Sequence, residues 1–209
     1  MSLQNGDLIL FQGDSITDCG RNREDASDLG PGYPKMVAAA ISALYPEKKL
    51  RYINLGISGH RTHNLLERWE ADCIELRPAF LSILVGINDL WHRKTNEGNT
   101  DEDLEMYYDK LLTRTREALG DIPILMMEPF LTPDNETTIT FQELERLKAI
   151  VRRLAEKHHA IFVPLDDALR KASDAFPPHS LTREGVHPTA QGHSIIAKHW
   201  LDAALPIIF

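Results

Sequence analysis

An α/β fold built on a parallel sheet is predicted by three features of this 209-residue sequence. Short β-rich apolar runs alternate with longer segments of helical period, the pattern of repeated strand–helix–strand units. The runs are continuously apolar, as strands covered on both faces are. Capping patterns, finally, mark where two of the helices begin. With 43% apolar residues the chain can bury a full core, and its length favours one domain spanning residues 1–209.

The first strand is predicted over residues 7–12, and Gly13 after it allows a sharp turn. A helix follows over 33–44, a second strand over 50–55, and a second helix over 62–76. The third strand, 80–85, precedes a polar stretch and then a third helix. In that helix Leu104, Tyr107, Tyr108, Leu111, Leu112, Thr115 and Leu119 recur at three-to-four spacing. Thr100 with Asp103 marks its start, a weaker box than one closed by Glu or Gln. The fourth strand is placed at 122–127. Phe141, Leu144, Leu147, Val151 and Leu154 form the next amphipathic stripe, opened by a Thr140–Glu143 capping box. A fifth strand at 161–165 and a last helix at 189–205 complete the alternation. The apolar tail Leu205-Pro206-Ile207-Ile208-Phe209 reads either as a strand-like cover on the core or as a contact for a second copy in a homo-oligomer.

Composition excludes several functions. A net charge of −8 with interspersed signs offers no basic footprint for nucleic acid. No apolar run approaches the ~20 residues of a membrane span, and residues 1–12 lack the basic and apolar regions of a leader, so a cytoplasmic protein is expected. Cys19 and Cys73 are too few and too far apart for a disulfide framework or a zinc knuckle. The histidine groupings His60/His63, His158/His159 and His187/His193/His199 lack supporting carboxylates, so neither a metal nor a cofactor is expected.

Chemistry concentrates at strand ends. In open α/β sheets ligands bind outside the carboxyl ends of strands, so the polar stretches 18–32, 92–100 and 129–139 are expected to line a site. Ser15, in Gly13-Asp14-Ser15-Ile16-Thr17, stands at a strand-to-helix turn where free N–H groups stabilise an anion; a plain helix cap would also use Asp14 or Ser15. After the second strand comes Asn54-Leu55-Gly56-Ile57-Ser58-Gly59, and after the third Gly86-Ile87-Asn88-Asp89. Glycine admits a close N–H and the Asn amide is a neutral donor, which suits an oxyanion; a turn glycine and a helix start are the structural alternatives. Near the end, Glu184 lies three residues before His187 on a segment that Pro188 keeps from continuous helix, a spacing at which a carboxylate can orient a base.

These four ordered blocks, Gly-Asp-Ser, a glycine, Gly-x-Asn-Asp and an acid-x-x-His, resemble the SGNH hydrolases, or GDSL esterase family, from about Leu8 to His193. The resemblance implies a flavodoxin-like three-layer α/β/α sandwich with a five-stranded parallel sheet. It also implies that Ser15 attacks a small-molecule ester, that His187 serves as base and acid, and that the Ser15 N–H, the Gly56 N–H and the Asn88 amide form the oxyanion hole. One position departs from the family: its usual aspartate is Glu184 here, with Asp166 and Asp167 as reserve acids. Arg21, Trp91 and Phe130 are the candidate substrate contacts, and the charged loops favour a small acyl group on a polar alcohol such as a sugar. The absence of a G-x-S-x-G elbow sets the larger α/β-hydrolases aside. Two rival readings differ in class: a Mg²⁺-dependent phosphoryl hydrolase using Asp14, Asp89 and Asp18, and a non-catalytic binding module.

Overall fold

The computed structural model describes residues 2–95 and 97–209; Met1, and Asn96 within the predicted 92–100 loop, lie outside the described residues. Five parallel strands form its sheet in the order β2-β1-β3-β4-β5. They are β1 (Leu8–Gly13), β2 (Arg51–Asn54), β3 (Phe80–Leu84), β4 (Ile124–Met127) and β5 (Ile161–Val163). Each predicted strand is present, within a residue or two at its ends. The order reverses at β1, so that the exits of β1 and β3 diverge to opposite sides and leave a crevice between them.

Eight α-helices flank the sheet among the described residues: α1 (Ser15–Asp18), α2 (Tyr33–Leu44), α3 (Thr62–Trp69), α4 (Ile87–Trp91), α5 (Asp101–Leu119), α6 (Phe141–Lys157), α7 (Leu165–Ser173) and α8 (Ala190–Ile208). One layer packs α8 against α2 and α7; the other packs α5 against α3 and α6. Both predicted caps form: Thr100 accepts from the Asp103 N–H at 3.1 Å, and Thr140 with Glu143 closes in both directions. Two indole donors fix this packing, one within a helical layer and one between a layer and the sheet. Trp69 Nε1 donates to Thr115 Oγ1 on α5, and Trp200 Nε1, wedged between Phe11 and Phe80, donates to Ser82 Oγ on β3, each at 2.9 Å. Neither tryptophan is exposed at all.

The structure corrects three expectations. Leu165 opens α7 instead of ending the last strand; Pro164 before it supplies the break, and the Leu165/Leu169 stripe is the buried face. The helix expected over 62–76 is α-helical only to Trp69, then widens into a π-turn over Glu70–Ile74. The terminal segment is helix and not strand: α8 runs through Pro206 to the buried Ile208, whose carbonyl accepts from Leu3 N–H, while Phe209 stacks on Tyr45 at 3.7 Å. Among the described residues no helix is long and apolar enough to cross a membrane.

Trp200→Phe is expected to lower unfolding stability by about 1–3 kcal/mol, because it leaves the buried Ser82 hydroxyl without its donor. A urea midpoint unchanged from the parent protein would contradict this account of how α8 is held.

Candidate active site

Ser15 begins α1 directly after β1, with Asp14 as its N-cap accepting from the Ile16 N–H at 3.0 Å. Gly13 before it is compact by necessity, since a Cβ there would lie 2.3 Å from the Leu84 carbonyl and from Thr17 Oγ1. The His187 end of the site is carried by the turn before α8. Thr182 and Pro188 form an isolated antiparallel bridge, and Arg183 N–H donates to the His187 carbonyl at 3.0 Å.

These two segments meet. Ser15 Oγ lies 2.9 Å from His187 Nε2, and His187 Nδ1 lies 2.7 Å from Glu184 Oε1. A carboxylate can only accept, so Nδ1 carries the ring proton and Nε2 faces Ser15 as the acceptor. The same Glu184 oxygen takes the His187 backbone N–H at 2.8 Å, so the added methylene relative to aspartate is absorbed within a closed turn. Asp166 and Asp167, the reserve acids, are elsewhere: Asp166 is buried under the 129–139 loop, bonded to Leu131 N–H, Lys148 and Arg170, and both residues open α7.

The glycine expected at the oxyanion hole is not the one that faces Ser15. Gly56 donates its N–H to Asn54 Oδ1 at 2.9 Å, and a Cβ there would lie 2.4 Å from the Asp18 N, so Gly56 packs β2's exit against α1. Gly59, three residues on, lines the cavity with Ser15 and Asn88; it has φ +81° and open space around it, and no hydrogen bond engages its N–H among the described residues. The hint in the sequence was the second glycine of Gly56-Ile57-Ser58-Gly59, a residue free to take the left-handed backbone found there. Asn88 Nδ2 gives one hydrogen to the His60 carbonyl at 3.2 Å, leaving its second N–H for the cavity.

Asp18 braces this loop. Its carboxylate, 2% exposed, accepts from Ser58 N–H at 2.9 Å and Ser58 Oγ at 3.0 Å and pairs with Arg23. The Arg23 guanidinium and both Ser58 donors outweigh burial and hold its pKa below the ordinary aspartate value. Arg21 is a second brace and not a substrate contact: it is nearly buried and reaches the Gly56 carbonyl at 3.3 Å. Phe130 is also removed from the site, 1% exposed in the core; its loop instead forms a bed for the His187 turn, with Thr132 N–H donating to Gly185 O and Glu136 N–H to Glu184 O. Trp91 does reach the site, its ring 5.7 Å from that of His187.

Ser15 and His187 border two hollows. One, about 300 Å³, is lined by Gly59, Asn88, Trp91 and His92; the other, about 390 Å³, by Cys19, Gly20, Arg183 and His193. His193 Nδ1 accepts from Tyr33 N–H, so its protonated Nε2 faces Cys19 Sγ at 3.2 Å. Burial lowers its pKa to about 4, which keeps the ring neutral. The carboxylates of the phosphoryl-transfer reading do not gather at an open site. Asp89 is engaged by Thr62 and Asn99, Asp14 by Ile16, and Asp18 by Ser58 and Arg23.

A parallel α/β sheet whose carboxyl edge holds a hydroxyl, an imidazole and a carboxylate in hydrogen-bonded series defines a serine hydrolase. The chain belongs to the GDSL-like lipase/acylhydrolase family, which it matches over residues 11–195, and it is a carboxylic ester hydrolase. It is 34% identical over 211 residues to an acetylxylan esterase of Geobacillus stearothermophilus, covering 96% of this chain and 95% of that one. The crystal structure of the acetylxylan esterase Axe2 from the same organism superposes with a TM-score of 0.88 at 32% identity, over 97% of this chain and 96% of that one. A GDSL-like lipase from Parabacteroides merdae gives 0.93 at 34% identity and 97% of both chains. Solved catalytic mutants of Axe2 replace a serine, a histidine, and an aspartate three positions before that histidine, the spacing of Glu184 to His187.

Two measurements probe the site's support. Burial raises the Asp14 pKa from 3.8 to about 7, against the Ile16 hydrogen bond. A carboxyl raised in the folded state contributes stability that is full below about pH 4 and is lost as pH rises through about 7. Asp14→Asn should therefore flatten the fall in stability across that window; an identical slope in urea titrations at stepped pH would contradict it. Asp18→Asn should lower kcat by about tenfold or more with KM little changed if the Ser58–Gly59 turn that it holds beside Ser15 carries an oxyanion donor. A rise in KM alone would assign Asp18 a different role.

Proposed function

We propose that this chain is a cytoplasmic single-domain serine esterase that removes small acyl groups, acetyl foremost, from a carbohydrate. Ser15 is the nucleophile, His187 the general base and then acid, and Glu184 the carboxylate that orients it. The observation that carries this is the continuous series from Ser15 Oγ through His187 to Glu184, at 2.9 and 2.7 Å, beside the unengaged Gly59 N–H.

Ser15 Oγ attacks the ester carbonyl as His187 Nε2 takes its proton. The carbonyl oxygen becomes an oxyanion held by the N–H groups of Ser15 and Gly59 and the Asn88 amide. Collapse breaks the bond to the alcohol oxygen, which leaves with the proton from His187. Water then repeats the sequence on acyl-Ser15, giving the carboxylic acid and free enzyme. Throughout, Glu184 stabilises the imidazolium without taking its proton.

The substrate class rests on three supports. The relative of known activity acts, by its name, on acetylxylan. The hollows beside Ser15 are small, and the larger is substantially polar, which suits an acetyl group on a hydroxylated partner better than a long chain. Trp91 offers an aromatic face against which a sugar ring can lie. Both cysteines are free thiols, in keeping with a reducing compartment.

Ser15→Ala should cut hydrolysis of p-nitrophenyl acetate by about 10³-fold or more with circular dichroism unchanged, and brief acetylation of the parent enzyme should place one acetyl on the peptide containing Ser15. Turnover retained in the variant would overturn the reading.

A further inference from the structure

The larger hollow beside Ser15 contains a cation that the reaction does not use. Arg183 lines it together with Ser15 and His187. No hydrogen bond or ion pair engages the Arg183 guanidinium among the described residues, whereas Arg23 and Arg93 pair with carboxylates and Arg21 with a carbonyl. The nearby carboxylates are committed elsewhere: Asp18 to Ser58 and Arg23, and Glu184 to His187. The base of the side chain is also rigidly placed. Arg183 N–H donates to the His187 carbonyl, and Arg183 C=O lies 3.1 Å from His179 Nδ1, so the residue belongs to the same closed turn that presents the imidazole.

The neighbouring wall adds no competing charge, since His193 is held neutral by burial and faces Cys19. A further contrast comes from Axe2, where the residue directly before the aspartate of the catalytic mutant is a tryptophan; the residue directly before Glu184 is Arg183. At that place this chain presents a fork of N–H donors instead of an aromatic face. A planar guanidinium with unused donors matches a carboxylate in two-point geometry.

We infer that Arg183 makes this hollow a subsite for a carboxylate on the alcohol portion of the ester, so that the enzyme selects acylated partners that are anionic, such as uronate-bearing sugars. This rests on the esterase reading above and adds the chemical class of the leaving alcohol. The carboxylate is recognised by Arg183 while the acyl carbon sits at Ser15; no proton or bond is exchanged with the arginine.

The test compares 4-acetoxybenzoate with 4-acetoxybenzamide, and an acetylated methyl glucuronoside with the matching methyl glucoside, in the parent enzyme, Arg183→Gln and Arg183→Lys. The parent should favour each carboxylate by about fivefold in kcat/KM through KM, the scale of one partly exposed ion pair. The preference should vanish in Arg183→Gln, persist in part in Arg183→Lys and shrink at high salt. Phenyl acetate, which has no charge to recognise, should be hydrolysed equally by all three. Calorimetry on Ser15→Ala should show the same order of affinity for 4-acetoxybenzoate over its amide, lost in Ser15→Ala/Arg183→Gln. Equal use of acid and amide by the parent, or a preference that survives Arg183→Gln, would overturn the inference. Absence of any phenyl acetate turnover would instead count against the esterase reading, with the calorimetric arm still deciding the subsite.

Discussion

The contact between Ser15 Oγ and His187 Nε2, 2.9 Å long and closed across 172 residues of sequence, is the constraint that organises this molecule. Neither side chain could hold it alone. Ser15 is placed by β1 and a four-residue helix, and His187 by a turn whose position depends on α8, anchored through Trp200 to Ser82 on the central strand β3. Beneath the turn, Thr132 Oγ1 and Thr182 Oγ1 share a 2.6 Å hydrogen bond, and the 129–139 loop supplies two backbone donors. Much of the chain that never touches a substrate is thereby committed to one distance, as preorganised sites require.

The alternation of apolar runs and amphipathic stripes was enough to place all five strands: β1, β3 and β4 are buried throughout and read as near-continuous apolar runs, while the partly buried edge strands β2 and β5 are marked by their place in the alternation. Capping boxes at Thr100 and Thr140 worked for the same reason: they are local chemistry. What escaped the sequence depended on packing across the chain. Leu165 extends an apolar run and reads as strand, yet it begins the buried face of α7. Phe130 stands in a loop at a strand exit and reads as a substrate contact, yet the core takes it. Arg21 reads as a polar contact, yet it turns inward to a carbonyl.

The glycines illustrate the limit most clearly. The sequence points to Gly56 for the oxyanion hole, and Gly59 stands three positions on in the same loop. Packing separates a glycine required because α1 lies against it from one that lines the cavity in a left-handed turn with its N–H unengaged among the described residues. The reacting residues were legible because hydroxyl, imidazole and carboxylate are distinctive; the supports, Asp18 and Ser58 above all, are ordinary residues made specific by their neighbours.

Glu184 gives one oxygen to both the backbone and the ring of His187. The imidazole and the main chain beneath it thus share a single anchoring atom, and displacing the Glu184 carboxylate would release both at once. Without that oxygen the ring would be left to the 182–188 turn alone, which the Thr182–Pro188 bridge closes.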